Sequence, residues 1–253
     1  MEEQVYLQYW GMNFNIRTLV MSSIVMVLVL IFGIIAGRGA TNKVPGGATN
    51  IFEYIIEFIR NLIGENMPYR KGASLLSLLT TLIIFIFFSN LLGLVPNLFA
   101  FLPISAGLLH DALVGNADKL HATMMSPTAD LNMTLGMALM MILIVQVWGI
   151  RWQKHHYFKH FLEPNPIFIV IHIVELLSKP VTLAFRLFGN IFAGEVLIGV
   201  ILGMGTAFYF GGWIAGVIWL AFSVFVGVIQ AFVFTMLSIA YTAQVVGEDD
   251  GHN

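Results

Sequence analysis

The stretch KPVTLAFRLFGNIFAGE, residues 179–195, sets one arginine, Arg186, inside an apolar run. No charge lies nearer to it than Lys179 on one side and Glu195 on the other. A charge at mid-membrane costs about 2.5–3.5 kcal/mol on insertion scales, so the reason for this one decides how the chain is read. Snorkelling to the interface is the plain explanation. Apolar residues extending well beyond Arg186 in both directions weaken it. Helical geometry sorts the neighbours. At about 100° per residue, Glu175 projects about 20° from Arg186, and His172 and Asn190 about 40°. These four form a polar stripe on an otherwise apolar helix. Glu195, nine positions on, projects near 180° and does not pair with Arg186 on a straight helix. Pro180, Gly189 and Gly194 are points where the path could bend. The counter-charge of Arg186 is therefore expected from elsewhere, such as another subunit.

Composition agrees with a membrane setting. The 253 residues are 58% hydrophobic and 10% charged, with a mean hydropathy of +0.86. Soluble domains carry about 25% charged residues, so the chain reads as an all-α polytopic membrane protein. A net charge of -2 argues against a nucleic-acid partner. With no Cys there are no disulfides, thiol chemistry or thiolate metal sites. The start, MEEQVYLQYW, is acidic and no small-residue cleavage site follows the first apolar run. That run is expected to be a retained span rather than a leader.

A span needs about 20 mostly apolar residues. Thr18 to Gly37, bracketed by Arg17 and Arg38, is the first. A second starts at Ala73 within the uncharged run Gly72 to Leu109, with Pro96 and Pro103 expected to end its helix. A third covers Leu131 to Ile150, closed by Arg151 and Lys154. After Pro166 come His172, Glu175, Lys179, Arg186 and Glu195, then 52 uncharged residues from Val196 to Gly247. As one helix those would reach about 78 Å, so they must fold back, with Gly211-Gly212 as the natural hinge. About five membrane helices result, the last two long. Between the first two lies TNIFEYIIEFIRNLIGEN, residues 49–66, whose polar residues recur at helical spacing. It suits an amphipathic helix in the membrane interface, with Asn50 and Glu53 as its N-cap pair.

Loop charge gives orientation. The 38–71 loop carries Arg38, Lys43, Arg60, Arg70 and Lys71, and the 151–164 loop Arg151, Lys154 and Lys159. The 110–130 loop has only Lys119. The first and third loops are thus expected in the cytoplasm, the N-terminus outside and the C-terminus inside, although the tail GEDDGHN adds no positive charge. The last apolar segment holds a second isolated polar residue, Gln230, with Ser223 on the same face. A helix-packing amide is the bland reading of Gln230. KHHYFKH at 154–160 has no carboxylate or thiol to complete a metal site. His110, His121 and the Met-rich HATMMSPT and GMALMMIL read as loop and packing residues. No nucleotide motif, Ser-His-Asp arrangement or hydrolytic carboxylate pair is present, and no cofactor is expected.

SKPVTLAFRLFGNIFAGE, with IQAFVFTML, SPTADLNMTLGMAL at 126–139 and NLLGLVPN at 90–97, closely resembles subunit a of F-type ATP synthases. The resemblance runs from about Phe14 to Gln244. It implies that Arg186 faces a ring of c subunits, each with a buried carboxylate, and that a nearby cation favours the ionised form. Arg suits this better than Lys because it stays charged when desolvated. Asn190 and Glu195 are implied to line a half-channel from the outside, with Gln230 opposite the arginine. Glu175 and His172 fall where relatives place an ionisable residue, and Asp130 and Asn132 match the polar start of the third span. Ser223 stands where some members have a histidine, so a water chain is the expected substitute there. The last two helices are implied to be strongly tilted and to form a hairpin against the ring.

The resemblance further implies a non-catalytic, proton-conducting stator in an energy-transducing membrane, most simply a bacterial plasma membrane. Its implied partners are the c-ring, the peripheral-stalk b subunits and the rest of the complex. The whole chain, 1–253, is expected to be one membrane domain. Its parts are an N-terminal region with the first span and interfacial helix (1–71), two spans (72–165), the ring-facing hairpin (166–247) and a tail (248–253). The competing reading is a secondary cation/proton antiporter. Those transporters are often built from inverted repeats, whereas here no repeat is visible and the charges sit in one half. An intramembrane enzyme would need a nucleophile–base pair or metal ligands within the spans.

Overall fold

The computed structural model describes residues 6–9, 12–39, 46–101, 126–153, 168–205 and 211–246. The architecture is that of an all-α polytopic membrane protein, with one small addition ahead of the first helix. There β1 (Tyr6–Tyr9) and β2 (Met12–Asn15) pair antiparallel, with Tyr6 opposite Asn15. The Asn15 side chain then accepts the Arg17 N–H at 3.1 Å and caps α1, Ile16–Arg38.

The amphipathic segment forms α2, Gly47–Asn66. It begins before Asn50, so the expected Asn50 cap is corrected: Gly46 holds that position and gives no side-chain bond. The Thr49 hydroxyl instead donates to the Ala36 carbonyl at 3.1 Å, tying the start of α2 to the end of α1. A short helix α3, Tyr69–Gly72, leads into α4, Leu76–Phe101. Helix α4 continues through Pro96, which was expected to end it. Proline removes one helical donor, a loss that membrane helices tolerate. Pro103 lies outside the described residues, as do Lys43, Lys119, His110, His121, the KHHYFKH cluster and the GEDDGHN tail.

Helix α5 covers Leu131–Gln153, α6 Phe168–Gly205 and α7 Gly211–Val246. The Gly211-Gly212 pair thus opens α7 rather than sitting inside a turn. Among the described residues, four stretches are long and apolar enough to cross a membrane: Ile16–Arg38, Tyr69–Val95, Leu131–Trp152 and Ile214–Val246. The fifth expected element, α6, has the length at 38 residues but carries the charges. Pro180 lies within it. The Thr182 hydroxyl bonds back to the Ser178 carbonyl at 2.5 Å and to the Lys179 carbonyl at 3.1 Å.

The chain packs as two compact units. The first contains the β-pair, α1 as far as Leu30, α4 from Phe85, the segment up to Met133, α6 from Leu187 and α7 to Gln230. The second contains the remainder of those helices with α2, α3 and most of α5. Its core joins Ile59, Ile63 and Met67 to Leu75, Leu79, Met141, Val145 and Ile239. Several side-chain hydroxyls of the second unit are satisfied within their own helices. Thr80 donates to Leu76, Thr235 to Ala231, Ser238 to Phe234 and Thr242 to Ser238, at 2.7–2.9 Å. In hydrocarbon an unmade bond of this kind costs several kcal/mol.

Candidate functional site

The first unit holds a partly open cavity of about 200 Å³. Helix α4 brings Asn90 and Gly93 to it, α6 brings Asn190 and Glu195, and α7 brings Trp219 and Ser223. Ser126, from the turn before α5, completes the polar lining, and Glu195 is the one titratable side chain among the described lining residues.

The turn owes its shape to the SPTAD sequence. The Ser126 hydroxyl accepts the Thr128 N–H at 3.3 Å and starts a single tight turn, Pro127–Ala129. The Asp130 carboxylate then accepts the Asn132 N–H at 2.8 Å and the Thr18 hydroxyl at 2.7 Å. It therefore caps α5 and ties it to α1.

Two glycines let the backbones close around this turn. A Cβ on Gly93 would stand 2.6 Å from the Ser126 Cβ, and one on Gly227 would stand 3.2 Å from the Asn90 Cβ. Asn90 is thus wedged between α7 and the turn. It donates to the Gly227 carbonyl at 3.0 Å and accepts from the Thr128 hydroxyl at 2.9 Å. The Ser126 hydroxyl contacts that of Thr128 at 2.7 Å and donates to the Ser89 carbonyl at 2.9 Å. The Ser126 main-chain N–H donates to Glu195 Oε1 at 3.3 Å.

What remains open is equally informative. Among the described residues, Glu195 Oε2 and Ser223 Oγ are buried without a hydrogen-bond partner, and both residues line the cavity. Polar atoms in such a position are the kind that ordered water satisfies. Gln230, 2% exposed, accepts the Asn190 side-chain N–H at 2.8 Å on its Oε1, while its Nε2 has no partner among the described residues. The indole N–H of Trp219 reaches the Gly194 carbonyl at 3.4 Å.

The remaining sequence-derived residues belong to the second unit. Glu175 accepts from Lys179 at 2.8 Å and lies 4.0 Å from His172 Nδ1. Lys179 also donates to Gln244 Oε1 at 3.0 Å and sits over the Tyr241 ring. Arg186 is exposed and, among the described residues, has no hydrogen bond or ion pair. The structure thus gathers Asn190, Glu195, Ser223 and Gln230 in one unit. It gives Asp130 and Asn132 a capping arrangement and groups His172 with Glu175. The sequence reading did not single out Asn90, Ser126, Thr128 or Trp219 as site residues. Asn90, Ser126 and Thr128 lie in the quoted NLLGLVPN and SPTAD segments, but nothing in their spacing links segments so far apart.

Among the described residues no group of three His, Asp or Glu side chains gathers that could hold a metal ion. Four helical stretches among the described residues, long and apolar enough to cross a membrane, define a polytopic membrane protein. A family model described as ATP synthase A chain matches residues 19–243. ATP synthase subunit a of Desulforamulus reducens is 40% identical, covering 98% of this chain and 87% of the relative. Those of Bacillus velezensis and Bacillus subtilis are each 34% identical, covering 95% and 96% of this chain and 96% and 97% of the relatives. The chain belongs to this family, subunit a of F-type ATP synthases.

Proposed function

We propose that this subunit conducts protons through the membrane sector of a bacterial F-type ATP synthase and works the ring of c subunits with Arg186. It performs no chemistry itself; ATP is made elsewhere in the complex. The observation that carries the reading is Arg186, exposed on a 38-residue helix and without a partner among the described residues. A desolvated cation is costly, so an uncovered one on such a helix calls for a counter-charge, here the carboxylate of a c subunit. As each protonated c subunit reaches Arg186, the fixed charge favours the ionised carboxylate, and the proton leaves through one half-channel. Reprotonation follows from the other half-channel. The same positive charge repels a proton moving straight across.

Glu195, Ser223 and Asn190 line the outer half-channel on this reading, with water bridging Glu195 Oε2 and Ser223 Oγ in place of a second ionisable group. Gln230 holds Asn190. Glu175 and His172 serve the inner half-channel, and Asp130 and Asn132 shape the outer access. The hairpin of residues 166–247 faces the ring, tilted in the bilayer, and the b subunits bind the remainder of the stator. Lys and Arg in the first and third loops place those loops in the cytoplasm and the N-terminus outside.

The test is ATP-driven proton pumping in inverted membrane vesicles, wild type against Arg186→Ala, with assembly of the complex measured in the same samples. Loss of pumping with intact assembly is expected, together with passive proton leakage through the variant. Normal pumping would sink the mechanism.

A further inference from the structure

Glu195 has one oxygen held and one free, and the holding group is a main-chain N–H on a turn rather than a side chain. A carboxylate fixed in this way is aimed only as well as the turn is fixed. The turn is anchored by Thr128, which is fully buried, and Thr128 is anchored by Asn90, which is 4% exposed. The two hydroxyl protons of Ser126 and Thr128 serve three oxygen contacts: the Ser89 carbonyl, Asn90 Oδ1 and each other. A hydroxyl has one proton to give, and the Asn90 carbonyl, 2.9 Å away, is one of the two acceptors within reach of the Thr128 hydroxyl. The other end of Asn90 is fixed on the Gly227 carbonyl of α7. Asn90 therefore joins α7, which carries Ser223, to the turn that holds Glu195.

We propose that Asn90 is a positioning residue for the Glu195 carboxylate. Through Thr128 and Ser126 it holds Glu195 Oε1, leaving Oε2 without a partner among the described residues, on a side chain that lines the cavity with Ser223. The inference rests on the reading of Glu195 as a proton-conducting group and adds a residue that acts on it through the turn. Its recognisable consequence is a change in how transport depends on pH on one side only, because Glu195 is the one titratable side chain among the described residues lining the cavity.

The experiment uses the complete complex reconstituted in liposomes with the catalytic head outward. ATP synthesis is measured while the lumen pH is varied at fixed bath pH and fixed membrane potential. Three variants are compared with wild type: Asn90→Leu, Thr128→Val and Glu195→Gln. Thr128→Val keeps the shape of the side chain while removing the hydroxyl, so it tests the same link with little change in packing. Each of the first two variants is expected to shift the lumen pH of half-maximal rate by about half a unit or more, the scale of one loosened hydrogen bond on a carboxylate. Rates should fall several-fold, with dependence on bath pH unchanged. Wild-type lumen-pH curves in assembled Asn90→Leu and Thr128→Val complexes would overturn the proposal. So would failure of both to assemble, since the network would then be a packing device only. If Asn90→Leu alone fails to assemble, Thr128→Val decides. A wild-type curve from Glu195→Gln is a different result: it removes the conducting role of Glu195 itself.

Discussion

Adding a single methyl group to Gly93 tests how closely the Glu195 turn must approach α4. The new Cβ would lie 2.6 Å from the Ser126 Cβ, 3.1 Å from its Cα and 3.2 Å from its N. Carbon atoms settle about 3.5–4.0 Å apart, so the turn would have to retreat by about 1 Å. Overpacking of this kind costs about 1–3 kcal/mol. The Ser126 N–H to Glu195 bond is already long at 3.3 Å, and such a retreat takes it out of hydrogen-bond range. Gly227→Ala supplies the graded control, since its Cβ would meet the Asn90 Cβ at 3.2 Å and the Asn90 Nδ2 at 3.7 Å. A shift of a few tenths of an ångström relieves that contact. Alanine is the better helix former by about 1 kcal/mol, so without a clash both substitutions would stabilise their helices.

The expected result is an ordered pair. In vesicles with matched amounts of assembled complex, Gly93→Ala should cut ATP-driven proton pumping about tenfold, equivalent to about 1.4 kcal/mol. It should also lower the thermal midpoint of the purified complex. Gly227→Ala should stay within about threefold of wild type, a change of well under 1 kcal/mol. Wild-type pumping and an unchanged midpoint in Gly93→Ala would refute the close-approach argument, as would the reverse order of the two variants.

Three other substitutions probe separate links. Gln230→Leu leaves the Asn190 amide without its 2.8 Å acceptor; a loss of about 0.5–1.5 kcal/mol in complex stability, with slowed pumping, is expected in melting and pumping assays. Lys179→Met removes the Glu175 pair, the Gln244 bond and the contact over Tyr241. Because the Glu175 side chain is 48% exposed, solvent screening holds the pair's share to at most about 1 kcal/mol; an effect unchanged between low and high salt would count against it. Asp130→Ala uncaps α5 and frees Thr18, at a cost of about 0.5–2 kcal/mol read from the thermal midpoint; a midpoint equal to wild type would show that the cap is dispensable.

The helices were legible because membrane spans are written in uninterrupted apolar length. Thr18 to Gly37 and Leu131 to Ile150 fall inside α1 and α5. Where the reading missed, a local rule gave way to tertiary context. Pro96 did not stop α4, and Asn50 did not cap α2 because Thr49 bonds to Ala36 and α2 begins earlier. The β-pair before α1 is too short for any periodicity to mark it. Of the site, the polar residues stood out individually against apolar surroundings, as Glu195 and Gln230 did. Their mutual arrangement did not. Asn90 and Thr128 are 38 residues apart, and Ser126 and Glu195 are 69 apart. The glycines that allow the approach look from sequence like any others in a membrane helix.

The polar groups of this chain divide by how they are satisfied. Thr80, Thr235, Ser238 and Thr242 spend their hydroxyl protons on carbonyls four residues back, which removes them from any further chemistry. Ser89 Oγ, Glu195 Oε2, Ser223 Oγ and Gln230 Nε2 are buried and, among the described residues, left open; all four belong to the first unit, and only Trp148 Nε1 joins them from the second. A buried polar group without a partner costs about 1–3 kcal/mol. Selection for stability alone would favour a hydrocarbon side chain at such positions, or a partner within the same helix. Glu195 and Ser223 instead share one cavity wall, where each can bond to whatever passes between them. Stability does not explain that expense and the proposed half-channel does, because a proton path needs groups whose bonds are not already taken. On this argument Ser223→Ala should be neutral or slightly stabilising in the thermal midpoint of the complex while slowing lumen-side proton uptake. A loss of stability without a change in uptake would place Ser223 among the packing residues instead.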